Sequence, residues 1–184
     1  MDKTMKKAAL LEDIDAKQTG QIVSCLAYSL SILRPRLVDE TASSIYSKYG
    51  DSKLAVPLDE IETFYRRSWE AALSNIDAAK PDLIIVQGAA SFLLSDVLRD
   101  TRDARVIVLN PLLQGLEGFR PRASSGAKMT WVCFSKEEGF RANKIFNLHK
   151  RAGGDLHIFD ETFAVSVELK CGIIREIHTS FLPN

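Results

Sequence analysis

The stretch Pro81–Asp96, PDLIIVQGAASFLLSD, reads as an apolar strand that turns through a glycine into a helix, with Ser91 just past the turn. A hydroxyl at such a junction becomes a nucleophile when a sharp turn lifts it above the sheet and a histidine within reach takes its proton. The spacing Gly-x-Ser-x-Gly that builds this elbow is not met. Counting from Gly88, the central position is Ala90 and Phe92 replaces the second glycine. Centred on Ser91, Ala89 is tolerable on one side but Leu93 crowds the other. One residue past the elbow, a helical step of about 100° turns Ser91 away from the point where acid and base loops converge.

Other chemistries are poorly supplied. The Rossmann fingerprint and the P-loop Gly-Lys-Ser/Thr are both absent, so Gly88-Ala89-Ala90 is not a nucleotide motif, and no cofactor is expected. His149, His157 and His178 have no ligand spacing with one another or with a cysteine, so no metal site is expected. The long loop QGLEGFRPRASSGAK places Arg120, Arg122 and Lys128 among Gly, Pro and Ser at the strand ends, where it reads as a solvated loop or as a contact site for an acidic partner.

Composition narrows the class. Over 184 residues, 24 basic side chains balance 24 acidic ones, so no overall field draws the chain to nucleic acid or an anionic membrane. Cys25, Cys133 and Cys171 are odd in number and far apart, which fits reduced thiols in a cytoplasmic protein better than a disulfide framework. The longest apolar-leaning stretch, Ile22–Leu33, is too short to span a bilayer, and no apolar signal core follows Lys3, Lys6 and Lys7. One domain over residues 1–184 is expected.

The elements follow from periodicity. Lys7–Leu11 reads as a first strand, Gln21–Leu33 as a helix stopped by Pro35, and Arg36–Glu40 as a strand. The clearest helix begins near Asp59, with Glu62 at capping-box spacing and Ile61, Phe64, Tyr65, Ser68, Ala72 and Ile76 along one face. Arg66, Arg67 and Trp69 read as an exposed edge with a packed tryptophan. Then come strand 83–86, helix 91–99, strand 106–110, strand 130–134, helix 138–151 and strand 156–159, the last helix closed by Gly153-Gly154. Residues 162–177 fit a hairpin or a helix, and the topology favours a helix. Apolar strands alternating with helices predict an α/β fold, a three-layer sandwich with a mostly parallel central sheet. Its predicted core includes Leu83, Ile85, Val106, Val108, Val132 and Ile158.

Laid out so, the chain resembles the small α/β-hydrolases of the YqiA-like esterase family over nearly its whole length. The likeness rests on ALLEDIDAKQTGQIVSCLAYSL, with Glu12-Asp13 where the family has His-Gly, and on IIVQGAASFLLSDVLRDTRDARVIVLNPLL, whose Asn110-Pro111 matches the strand ending after the elbow. The resemblance implies a triad acid near Glu137 in WVCFSKEEGF. It offers His157 as base if GGDLH is the family's Gly-Gly-x-His segment. Element order instead puts His157 inside a strand, leaving DETF as a loop without histidine. Glu12 and Asp13 would also repel charge developing in an oxyanion hole.

Three readings remain. The preferred one is a catalytically degenerate α/β-hydrolase-like protein that acts by binding another macromolecule, a protein, with Arg120, Arg122 and Lys128 as partner contacts. The second is an active serine esterase or thioesterase using Ser91, Glu137 and His157. The third is an unrelated three-layer α/β binding domain.

Overall fold

The structure, a computed structural model, describes residues 6–13, 31–35, 57–101, 103–116, 119, 129–137, 139–162, 172 and 175–176. Six strands are present among them: β1 Lys7–Leu11, β2 Ser31–Leu33, β3 Leu83–Gln87, β4 Arg105–Leu109, β5 Met129–Phe134 and β6 Asp155–Phe159. They form one sheet in the order β2-β1-β3-β4-β5-β6, and every neighbouring pair is parallel. Parallel strands must be covered on both faces, which is why β1, β3, β4 and β5 are nearly continuous apolar runs. Alternation then splits them into two clusters. Ala9, Leu11, Ile84, Val86 and Trp131 face one side, while Leu10, Ile85, Leu109, Val132 and Phe134 face the other.

Among the described residues, three α-helices pack on the first face: α1 Leu58–Ala79, α2 Leu94–Asp100 and α3 Ala142–Ala152. Each links strands that step in the same direction across the sheet, and the right-handed crossover rule puts such helices on one face. α1 buries Ile61, Phe64, Tyr65, Trp69, Ala72 and Ile76, the stripe its 3.6-residue period lays down. The opposite face is equally dry, with Gly172 approaching the Phe159 ring and Glu176 reaching His157. Gly172, Arg175 and Glu176 are helical, in line with the helix expected there, and the rest of 163–184 lies outside the described residues.

A polar seam joins α1 to α2. The Trp69 indole donates to Asp100 Oδ2 at 3.0 Å, while Asp96 accepts from Arg66 at 3.4 Å and from Arg99 at 2.9 Å. The Arg99 hydrogen bond, and then the Trp69 N–H, hold the Asp100 carboxyl below the usual carboxylate range despite partial burial. Trp69 is therefore packed and Arg66 exposed, as the sequence indicated.

Several expectations need correction. Ser31–Leu33 is not the end of a helix; it pairs with Lys7–Ala9, sending Ile32 to one cluster and Leu33 to the other. A three-residue apolar run has no period of its own, so tertiary pairing decides it. The strand expected at 36–40 lies outside the described residues. The capping box is not made: Pro57 holds the N-cap position without a side-chain bond, Asp59 sits within the first turn, and Glu62 binds Arg66 at 2.8 Å. α2 is preceded by a 3₁₀ segment, Gly88–Leu93, and α3 begins at Ala142 rather than 138. Ile158 is not core. It stands 37% exposed on β6, beyond which no further strand pairs among the described residues.

This contrast has a measurable outcome. Ile85→Ala, which empties a fully buried site, is expected to cost about 2–5 kcal/mol in urea unfolding. Ile158→Ala is expected to cost less than about 1 kcal/mol, because its atoms leave little cavity.

Candidate functional site

In an open parallel sheet, ligands bind where neighbouring strands send their connections in opposite directions. Here that point lies between β1 and β3, since β2 flanks β1 on one side and β4 flanks β3 on the other. Two short segments meet at its carboxyl end: Glu12-Asp13 beyond β1 and Gly88-Ala89 beyond β3.

Gly88 makes the turn. Its φ of +53° is the left-handed conformation that lets an extended strand swing at once into the 3₁₀ segment. The sharp residue is thus Gly88, two positions before the Ala90 that the glycine-spacing argument favoured. Ala90 is instead fully buried in the cluster under the helices.

Asp13 fills the space above this turn. The Ala89 N–H donates to Asp13 Oδ1 at 3.2 Å, and a Cβ built on Gly88 would lie 1.9 Å from Asp13 Oδ2. The carboxylate is only 1% exposed. A charged group so buried requires donors, and the amide at the start of the 3₁₀ segment supplies one. Glu12 beside it points elsewhere. Its carboxylate bonds the Arg34 guanidinium, and its carbonyl accepts from the Tyr65 hydroxyl at 2.8 Å. The hydrogen bond to Glu12 raises the Arg34 pKa above the ordinary arginine value.

Of the three candidate triad residues, His157 is held away from the elbow. Ser91 is 1% exposed, and its hydroxyl donates to the Leu112 carbonyl at 3.4 Å, a long contact beneath the loop that follows β4. Glu137 does lie on the turn beyond the carboxyl end of β5, where the resemblance placed it; its N–H reaches the Phe134 carbonyl and its carbonyl accepts from Phe140. His157 lies within β6, opposite Val132, and its Nε2 is 3.1 Å from Glu176 Oε2. Strands spaced by ~4.8 Å put β6 about 14 Å from β3, far beyond the ~3 Å that proton transfer needs. Gly153-Gly154 ends α3 rather than building a catalytic segment. Gly153 donates to the His149 carbonyl at 2.7 Å, and Gly154 has its α-carbon against the Met129 carbonyl, where a Cβ would come within 2.1 Å.

Arg120, Arg122 and Lys128 lie outside the described residues, as do Cys25 and Cys171. Among the described residues no group of three or more His, Cys, Asp or Glu side chains could hold a metal ion, and no helix is long and apolar enough to cross a membrane. Cys133 is buried on β5, and desolvation pushes its thiol pKa up to about 12. Sequence reasoning noticed Glu12-Asp13 as an odd dipeptide but missed that Asp13 reaches Gly88. The readable signal was the lone glycine directly after a five-residue apolar strand.

Two outcomes follow. Gly88→Ala is expected to cost more than about 2 kcal/mol, from left-handed strain plus the collision with Asp13. In an Asp13→Gly background the same change should cost only about 1 kcal/mol, a coupling that a double-mutant cycle in urea measures. Cys133 should resist thiol reagents at pH 8 in the folded protein and react on unfolding, as peptide mapping after alkylation would record, because the thiolate is the reactive form.

No family model matches the chain, and no curated protein matches it. Solved structures do. The crystal structure of a putative hydrolase of the alpha/beta superfamily from Xanthomonas campestris pv. campestris superimposes with a TM-score of 0.62 at 13% identity, covering 96% of this chain and 99% of its own. A predicted CIB-like hydrolase from Thermoplasma acidophilum superimposes with a TM-score of 0.54 at 14% identity, covering 99% of this chain and 89% of its own. At such identities the likeness is one of fold, and this chain has the mostly parallel α/β fold of those hydrolase-superfamily structures.

Proposed function

We propose that the chain is a catalytically degenerate α/β-hydrolase-like protein, kin in layout to the YqiA-like esterases, that acts by binding another protein. The observation that carries this reading is the Asp13 carboxylate lodged over Gly88, within 1.9 Å of where any side chain at the turn would begin. An elbow needs its nucleophile on the strained residue and open donors for the developing oxyanion. Here glycine supplies no nucleophile, and the Ala89 N–H is already engaged by an anion. The place of His157 within β6, three strands from β3, supports the same reading. A scaffold of this kind with its chemistry lost leaves surface recognition as its function, and Arg120, Arg122 and Lys128 are the proposed contacts for an acidic protein surface.

The alternative, a serine esterase using Ser91, Glu137 and His157, is favoured by the hydrolase names of the two similar structures. A fluorophosphonate probe and a panel of short-chain aryl esters separate the two. The expected result is no labelling and no turnover above the solvent background. Labelling that disappears in Ser91→Ala, accompanied by ester turnover, would establish the esterase instead. For the binding role, Arg120→Glu, Arg122→Glu and Lys128→Glu together should weaken capture of the partner from a native lysate by at least tenfold while the circular dichroism is unchanged. Unchanged capture removes these residues from the contact surface.

A further inference from the structure

β6 closes one side of the sheet, and among the described residues no strand pairs with its outer edge. Its burial differs from that of its neighbours. β3 and β5 are buried at every residue, whereas β6 alternates between half-buried and exposed. Ile158 is 37% exposed, and Leu156, two residues earlier, shares its face of the sheet and is half-buried. α3 packs on that same face and leaves Phe146 52% exposed. Monomeric proteins blunt such an edge with lysine, proline, a bulge or an inward-facing charge. The segment DLHIF carries none of these beyond its first residue.

We propose that the β6 edge docks a second copy of this chain, strand against strand, around a two-fold axis perpendicular to the sheet and passing beside His157. An antiparallel pairing in this register sets Ile158 of each copy opposite Leu156 of the other, on one face, and so covers both apolar side chains twice. It also brings Asp160 opposite Gly154 and Glu161 opposite Gly153 of the second copy. Those glycines follow the last turn of α3, which carries His149, Lys150 and Arg151. Asp160 accepts from the Ser135 hydroxyl at 2.7 Å, and the acidic pair keeps exposed oxygens for a further cation. Asp160 is 87% exposed at its side chain, Glu161 is 50% exposed, and Lys136 stands 4.0 Å from each. Sliding the pairing by two residues to oppose Ile158 with Ile158 would set Asp155 against Glu161, like against like. Charge therefore selects the first register and favours a second copy over an unrelated strand.

The inference stands whether or not the elbow is catalytic, since no residue of the elbow takes part. A five-residue strand buries less than the roughly 1,200 Å² of a standard interface, so association in the micromolar range is expected. Sedimentation equilibrium of the full chain from micromolar to near-millimolar concentration tests it. The expected result is a doubling of mass with concentration, weakened by salt and accompanied by slower amide exchange over residues 155–159. Ile158→Lys should hold the chain at monomer mass with unchanged circular dichroism. Asp160→Lys with Glu161→Lys should do the same, and adding Lys150→Glu with Arg151→Glu should restore the doubling. A wild-type chain that remains monomeric throughout, or a dimer unaffected by both sets of substitutions, overturns the proposal.

Discussion

The contact between the Asp13 carboxylate and the Ala89 amide fixes how the two central strands end. β1 and β3 lie side by side in the middle of the sheet, and their carboxyl ends diverge into separate connections. Without a side chain at Gly88 the carboxylate can settle directly over the turn, and without the carboxylate the Ala89 amide would be left without this partner. An unpaired buried donor or charge costs several kcal/mol, so the two residues must be considered together.

The surrounding packing supports that arrangement from below and from the side. Leu112 donates to the Gly88 carbonyl at 3.0 Å and accepts from Ser91, which ties the loop after β4 to the turn after β3. Tyr65, fully buried on α1, holds the Glu12 carbonyl. Asp82 plays a matching part at the amino ends of the strands: its N–H reaches the Lys7 carbonyl, its carbonyl accepts from Arg105, and its carboxylate accepts from the Lys7 amide at 3.1 Å. One aspartate thus secures each end of the central strands, and the intervening residues pair in uninterrupted register.

Much of this was legible in sequence wherever a single local signal dominated. The runs LIIV, VIVL and WVCF are apolar throughout, so their identity as buried parallel strands could be read directly. The stripe of α1 was equally plain. Gly153-Gly154 marked a helix end, and element order placed His157 inside a strand. What escaped was long-range in origin. SIL at 31–33 continued a helical period and became a strand only through pairing with β1, 24 residues away in sequence. Asp59 and Glu62 had the right spacing for a cap, but Pro57 took the position and Arg66 took the glutamate. Asp13 could be recognised as an unusual residue, though not as the group that meets Gly88, because 75 residues separate them. Ile158 had core composition and an edge position, and only the strand order distinguishes the two.

The central place of β1 also bears on how the chain is made. β1 leaves the ribosome before the other described strands, yet it is buried between β2 and β3, and its β3 partner ends at Gln87. At synthesis rates of about 5–20 residues per second, Ala8–Leu11 has no neighbour on its β3 side for a period on the order of several seconds. During that interval an apolar strand with one open edge is exposed to association with other chains, and the charges that flank it, Lys6 and Lys7 before and Glu12 and Asp13 after, oppose such self-pairing. The carboxylate that later sits over Gly88 is therefore one of the four charges that guard the strand in the unfinished protein.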